Sequence, residues 1–172
     1  MLPKITIIES AKSNHGTRTM LRCFISPYET VFSHYHTLFN ETFEVMDDGD
    51  IDVWNGFGKV HLEKGQTLSI EKNTLHHYVG GPKGAEVIIT IEPGSVDYEN
   101  AVHITNGLHQ HGIDFGLETI EKNNLAFMAI IAELTNSNAL AENKKQIDDL
   151  LNSEEGELIE ALKKEWLHKY CL

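Results

Sequence analysis

The stretch HYHTLFNE, from His34 to Glu41, decides how the first half of the chain is interpreted. It places two histidines one residue apart and a carboxylate five positions after the second histidine. Successive side chains of a β-strand alternate between the two faces of a sheet, so His34 and His36 point to one side while Tyr35 points to the other. The pattern therefore predicts two imidazoles that can reach the same ion.

Glu41 has the wrong parity to continue that strand. A loop over residues 37–40 would reset the phase, after which Glu41 shares a face with Phe43 and Val45 and turns inward beside the histidines. A third imidazole has to come from a strand that is distant in sequence. His76, at the end of the reversal EKNTL, is the natural candidate.

The flanking sequence is rich in short extended segments. They contain many β-branched and aromatic residues and are separated by turn sequences such as DDGD and GGPKG, which supply the Gly and Asp typical of tight reversals. The segments are 5–9, 20–26, 29–36, 42–46, 50–54, 58–63, 66–70 and 86–92. Many short strands at this spacing predict a sandwich or a small barrel.

The hydrophobic period changes after about residue 115. Residues 125–134 form a continuous apolar helical segment, and apolar residues recur at helical spacing over 158–170. We therefore expect a β-barrel domain over residues 1–112 and a helical appendage over residues 113–172 that is not an independent domain.

Two segments resemble the sequence motifs of the cupin superfamily. HYHTLFNETFEVMDDG resembles the first cupin motif, and GQTLSIEKNTLHHYVG resembles the second. Gly49 stands one residue later than the first motif has its glycine, and Glu71 and Asn73 stand where the second motif has Pro and Gly. The resemblance covers about residues 20 to 92 and implies a mostly β protein, a double-stranded β-helix or jelly-roll barrel, here followed by C-terminal α-helices.

The same resemblance implies a mononuclear metal centre. By position its ligands are His34, His36, Glu41 and His76. Three imidazoles and one carboxylate leave two positions of an octahedron open, which suits Fe(II), Mn(II) or Ni(II), and Zn(II) is compatible with a lower coordination number. We expect one divalent ion, and the ligands do not choose among these four metals.

Strand alternation also suggests a pocket wall. The predicted lining is apolar and aromatic, with Trp54 as a further candidate: Phe24, Tyr28, Phe32, Phe43 and Tyr78. Only one of His76 and His77 can face inward, and the distance from Gly65 favours His76. A second HxH pair, His109 and His111, lies outside the motifs, and we interpret it as polar content of a loop or an interface.

Three function classes stay open. The first is a metal-dependent enzyme of dioxygenase type acting on a small molecule. The second is a sugar isomerase or epimerase, in which a metal stabilises an enediolate and a separate acid or base moves the proton. The third is a non-catalytic module that binds or senses a small ligand. The fold does not decide among them.

Composition excludes some partners. The chain has 172 residues, a net charge of -12 and only 14 Lys and Arg, which argues against a nucleic-acid surface. It has no apolar run of the roughly 20 residues that cross a bilayer, and neither a signal peptide nor a disulfide framework, so we expect no membrane partner and a cytoplasmic protein. The apolar stripe on the last helix predicts a homodimer.

Overall fold

The computed structural model describes residues 5–112, 122–139 and 141–171. The β elements, in chain order, are β1 Ile5–Glu9, β2 Thr19–Ile25, β3 His34–Tyr35, β4 Asn40–Val45, β5 Asp50–Trp54, β6 Lys59–Glu63, β7 Thr67–Ile70, β8 His77–Gly80, β9 Ala85–Glu92 and β10 Asn138–Ala139. The helices are α1 Val96–Gln110, α2 Lys122–Leu134, α3 Ala141–Leu151 and α4 Gly156–Tyr170. The predicted mostly β fold with helices toward the C-terminus is confirmed.

Two antiparallel sheets form the β domain. One has five strands in the order β1-β2-β9-β4-β7, and the other has three in the order β6-β5-β8. The segment before β4 pairs with β8 and the residue before it through two single bridges, from Thr30 to Val79 and from His34 to His76. Strand β10 then pairs with β3. The smaller sheet is thereby extended toward the helices.

The buried faces of both sheets pack on one apolar core. β4 follows the alternation that its sequence predicts, with Glu41, Phe43 and Val45 buried and the residues between them half-buried. Ile51 and Val53 of β5 supply the opposing face and are completely buried. Apolar burial of this kind is the dominant stabilising contribution to such a sandwich.

The helices begin at Val96, earlier than the change of hydrophobic period near residue 115 suggests. Two polar side chains of α1, the buried Glu99 and the half-buried Asn106, attach this helix to the barrel. The carboxylate of Glu99 accepts hydrogen bonds from the Ala11 amide at 2.6 Å and the Thr19 hydroxyl at 2.7 Å. The side chain of Asn106 pairs with both backbone groups of Ile5, accepting at 3.2 Å and donating at 2.6 Å.

A second apolar cluster joins α1, α2 and α4. Its buried members include Ile104, Ile130 and Trp166. Gly107 of α1 lies directly against the ring of Tyr170, where a β-carbon would overlap the ring atoms. The helices therefore pack on one another as well as on the barrel. Among the described residues, we find no helix whose length and apolar character would let it span a bilayer.

Candidate metal centre

The four predicted ligands converge at one end of the barrel. His34 lies on β3, His36 follows it, Glu41 is the second residue of β4, and His76 directly precedes β8. One ligand atom from each of the four lies within 4.8 Å of all the others. His36, Glu41 and His76 are buried and His34 is half-buried. This grouping is the one that the sequence spacing predicts.

Backbone pairing brings the two distant segments together. The His34 amide donates to the His76 carbonyl at 3.0 Å, and the His76 amide donates back to the His34 carbonyl at 2.8 Å. The two imidazole rings lie side by side, with centroids 4.4 Å apart. A single antiparallel bridge therefore sets the relative position of two ligands that are far apart in sequence.

Each of the three imidazoles is oriented by a backbone carbonyl at its Nδ1. The acceptors are the carbonyl oxygens of Phe32, 2.9 Å from His34, of Thr74, 2.9 Å from His76, and of Asn136, 3.3 Å from His36. A carbonyl can only accept, so Nδ1 donates in each case, and the neutral form of each imidazole has its lone pair on Nε2. Protein metal sites commonly orient their histidines in this way.

Two of the three Nε2 atoms lie beside the Glu41 carboxylate. His76 Nε2 lies 2.9 Å from Glu41 Oε2, and His36 Nε2 lies 3.5 Å from the same oxygen. His36 Nε2 is buried and has no hydrogen-bond partner among the described residues. A buried polar atom without a partner is costly, and a bound cation would remove that cost. The donor set therefore fits a divalent metal ion.

The electrostatics of the cluster agree with that fit. Burial lowers the pKa of His34 to about 4, with a contribution from the nearby His76. Burial would raise the pKa of Glu41, but its interactions with His36 and His76 outweigh that effect and hold the pKa well below the usual value. Burial acts to lower the pKa of His76, but the hydrogen bond and the charge of Glu41 have the larger, opposite effect. The pKa of His76 therefore lies above its ordinary value.

The departures from the family motifs are accommodated locally. Asn73, where the motif has glycine, adopts a positive φ of 66°, which asparagine tolerates better than most residues. Its amide donates to the His36 carbonyl at 2.6 Å. Gly49 is required for a different reason, because a β-carbon there would overlap the Gly84 carbonyl oxygen. Neither departure displaces a ligand.

A cavity of about 210 Å³ adjoins the cluster and lies between the barrel, α1 and α2. His34 and Glu41 contribute to its wall, so the metal position is reached from inside the cavity. Of the predicted pocket residues, four line it: Phe24, Phe32, Phe43 and Tyr78. Phe43 and Tyr78 also contact each other edge to face, with ring centroids 6.0 Å apart.

Tyr28 is not part of this wall. It sits in a turn with a positive φ of 61° and is 67% exposed, because the strand alternation on which the prediction relied is interrupted there. Trp54 also lies outside the cavity lining and stacks on His77, with ring centroids 4.7 Å apart. His77 thus points away from the ligand cluster and His76 into it, as predicted.

The second HxH pair lies at the end of α1 and not in a loop. His109 is in the last turn of the helix and lines the cavity, whereas His111 caps the helix and its Nδ1 bonds the Gly107 carbonyl at 2.7 Å. Only the first of the two therefore reaches the candidate site.

Two contributors to the site were not predicted. Tyr98 of α1 lines the cavity, with its ring centroid 6.5 Å from that of His36. Burial and the proximity of Glu41 raise its pKa well above the ordinary value, so it stays a neutral phenol. Asn136, between α2 and β10, supports the loop after His36. Neither residue carries a local sequence signal, because each acts through a contact that spans a long stretch of chain.

Comparison with known proteins gives structural likenesses alone. No family model and no curated protein matches the sequence. KdgF from Halomonas sp. is similar at 17% identity and a TM-score of 0.48, covering 56% of this chain and 86% of that one. An uncharacterized conserved protein with a double-stranded β-helix domain from Klebsiella pneumoniae is similar at 19% identity and a TM-score of 0.44, covering 52% and 75%.

A cupin-like protein from Thermotoga maritima is similar at 18% identity and a TM-score of 0.45, covering 51% of this chain and 65% of that one. At these identities and TM-scores the likenesses say nothing about the reaction.

Proposed function

We propose that this protein is a metal-dependent enzyme of dioxygenase type that acts on a small molecule. The observation that carries the proposal is the convergence of three Nε2 atoms and one carboxylate, with one of these nitrogens buried and lacking a hydrogen-bond partner among the described residues. A pocket lined by polar histidines for hydrogen bonding alone would satisfy that nitrogen. An ion satisfies all four groups at once.

The residues of this chain would hold the ion as follows. His34, His36 and His76 would each give Nε2, and Glu41 would give its carboxylate. The Nδ1–carbonyl contacts keep the imidazoles in the required tautomer before any metal arrives. When bound, a redox-active divalent ion would supply open coordination positions and the electron transfer that oxygen chemistry needs.

The surroundings suit that chemistry. The cavity beside the cluster has mainly apolar walls, so a bound substrate would displace water from the ligands. Tyr98 remains a neutral phenol because burial and the nearby Glu41 raise its pKa, and its hydroxyl interacts with the Glu41 carboxylate. Phe39 is buried against Tyr98, with ring centroids 5.8 Å apart, and holds that ring in place.

One observation favours a second candidate, an isomerase or epimerase. Such an enzyme needs a proton-transfer group that is not a metal ligand. His109 and Glu29 both line the cavity, and either side chain is of a type that carries protons. The mainly apolar wall counts against a sugar substrate, so we rank this candidate second. A binding module without turnover is the third.

The first experiment is elemental analysis of protein purified without a metal-affinity column. His34→Ala and His76→Ala serve as test variants, and His61→Ala is the matched control because His61 is exposed and pairs with Asp52 on the surface. About one equivalent of Fe, Mn, Ni or Zn in the wild type and the control, lost in both test variants, supports the metal centre. No uptake by any sample, even after reconstitution, would refute it.

Oxygen consumption then separates the classes. The wild-type protein, reconstituted anaerobically with Fe(II), is screened against small molecules in an oxygen electrode. Consumption that depends on both Fe(II) and substrate supports the dioxygenase type. Turnover under nitrogen with Mn(II) or Zn(II) supports the isomerase. Saturable binding without turnover in either assay supports the binding module.

A further inference from the structure

The cavity beside the metal position has an unusual balance of charge. Glu29 and Glu41 are the acidic residues of its described lining, and His34 and His109 are the histidines. Neither lysine nor arginine occurs among the lining residues that the structure describes. Protein sites for phosphates and carboxylates rely on Arg, Lys or clustered backbone amides. An anionic substrate would therefore meet two carboxylates, with the ion as its main counter-charge.

The threonine and serine hydroxyls of the wall are already engaged. Thr105 donates to the Ala101 carbonyl at 2.8 Å. Thr135 bonds the Ile131 carbonyl at 2.7 Å and the Ser137 hydroxyl at 2.8 Å. A substrate with many hydroxyls would have to leave several of them unsatisfied on entering, and each one costs free energy. This feature argues against sugars.

The helices supply an apolar roof. On α1, Tyr98, Thr105 and Leu108 line the cavity at spacings of seven and three residues, which places them on one face of the helix. On α2, Met128 and Ile131 line it from the other side. The roof belongs to the helical part of the chain, so the selectivity of the cavity is set there as well as in the barrel.

The volume limits the size of an occupant. An engineered apolar protein cavity of about 150 Å³ binds benzene. The present cavity of about 210 Å³ is somewhat larger, yet below the range of roughly 300–1,000 Å³ that is usual for drug-sized ligands. A single six-membered ring with one small substituent matches this space.

From these features we propose that the substrate is a compact, uncharged, mostly apolar molecule of one ring, with a hydroxyl or carbonyl oxygen that faces the ion. The proposal rests on the proposed metal centre and adds the chemical class of its substrate. The apolar ring would occupy the space under α1 and α2, and the oxygen would lie toward His34 and Glu41.

Binding of three ring-sized probes to zinc-loaded protein tests the proposal. Phenol represents the proposed class, phenyl phosphate adds a dianion to the same ring, and myo-inositol replaces the apolar ring surface with hydroxyls. Calorimetry measures each dissociation constant. We expect phenol to bind saturably and the other two probes to bind at least tenfold more weakly. Equal or tighter binding of phenyl phosphate or myo-inositol would overturn the proposed class.

Variants show whether phenol binds in this cavity. Ala132→Phe fills it from α2, and Thr105→Phe fills it from α1. Ala161→Phe, on the exposed side of α4, is the matched control. Phenol binding should weaken at least tenfold in whichever of the two filling variants folds, and stay unchanged in the control. Unchanged binding in a folded filling variant contradicts the assignment.

Failure of the two proposals can be told apart. If the protein takes up zinc but no probe binds, the metal centre stands and the substrate class is wrong. If no metal is taken up, the proposed function fails. Phenol is then titrated into metal-free protein, where binding that Ala132→Phe abolishes supports the ligand class and absence of binding refutes it.

Discussion

The carbonyl oxygen of Asn136 lies 3.3 Å from Nδ1 of His36, although the two residues are one hundred positions apart in the chain. The side chain of the same asparagine supports the loop that follows His36. Its Oδ1 accepts hydrogen bonds from the Thr37 amide at 2.6 Å and from the Leu38 amide at 3.1 Å. The turn after α2 thus supports His36, so the helical region contributes to the candidate metal centre.

Replacing Asn136 by alanine should weaken metal binding. The variant loses the acceptor for the loop and places an alanine at a φ of 51°, which favours Asn, Asp or Gly. We expect a loss of about 10–100-fold in metal affinity, the usual effect of disturbing an outer-sphere contact, because the carbonyl of residue 136 beside His36 would shift with the loop. Asn136→Asp keeps an acceptor oxygen and tolerates the same backbone, so its affinity should stay close to that of the wild type. Competition with a chromophoric chelator measures both.

Asn14→Ala is the matched control for this experiment. Asn14 also accepts a backbone hydrogen bond in a loop, from the Thr17 amide at 3.0 Å, but it belongs to the turn between β1 and β2. This variant should lose stability without losing metal affinity. Equal losses of affinity in Asn14→Ala and Asn136→Ala would mean that the asparagine acts through general stability.

Glu41→Gln should lower the pKa of His76 in the metal-free protein. The hydrogen bond and charge of Glu41 raise that pKa against the opposing effect of burial. Without the charge, the effect of burial remains, and the pKa of His76 should fall below its ordinary value. NMR titration of the imidazole measures it. Glu44→Gln, three residues further along β4 and half-buried on its other face, should leave the pKa of His76 unchanged.

Metal affinity should rise with pH around neutrality. The pKa of His76 lies above its ordinary value of 6.5, so a proton must leave His76 before an ion binds, whereas His34, with a pKa of about 4, is already neutral. Below the pKa of His76 the affinity should fall about tenfold per pH unit, with one proton released per ion. Calorimetry in buffers of different ionisation enthalpy measures that proton. A pH-independent affinity would contradict the assignment of His76 as a ligand.

The same shift affects the stability of the metal-free protein in the opposite sense. A folded-state pKa raised above the unfolded value stabilises the fold below pH 6.5, and this contribution is lost as the pH rises through the pKa of His76. Denaturant titrations with and without metal across pH 6 to 9 separate the two dependences. Holo protein should gain stability over the pH range in which apo protein loses it.

Ile51→Ala tests the core of the barrel. Ile51 is completely buried between the sheets, and truncation of a buried isoleucine to alanine costs roughly 2–5 kcal/mol of unfolding free energy. Ile8→Ala removes the same atoms from β1, where the side chain is 45% exposed, so its cost should be smaller. Urea denaturation monitored by tryptophan fluorescence measures both. Similar losses in the two variants would mean that the core does not lie where the structure places it.

Much of the candidate metal centre can be predicted from the sequence. The two histidines of HYH share a face because strand side chains alternate, and Glu41 joins them because the loop over residues 37–40 resets the phase. The distance from Gly65 in the resembled second motif favours His76 over His77. These relationships are local or are carried by a motif with fixed spacing, so one sequence is sufficient to find them.

The residues around the centre were harder to predict. Strand parity predicts Tyr28 in the pocket, but β2 ends at Ile25, and Tyr28 lies in the following turn with a positive φ and an exposed side chain. The sequence predicts that His109 is a polar residue of a loop or an interface, yet it lies in α1 and lines the cavity. Polar and apolar residues follow one another irregularly along α1, so hydrophobic periodicity does not predict that this helix begins at Val96.

The sequence by itself therefore determined the β character of the first half, which depends on short-range periodicity, and the candidate ligand set, which depends on its resemblance to motifs of fixed spacing. Tertiary structure alone decided that α1 and α2 roof the cavity and that Asn136 supports His36. Those contacts join segments that are distant along the chain, and their energy comes from packing and hydrogen bonds that form only after the helices dock on the barrel. No local sequence pattern predicts contacts of this kind.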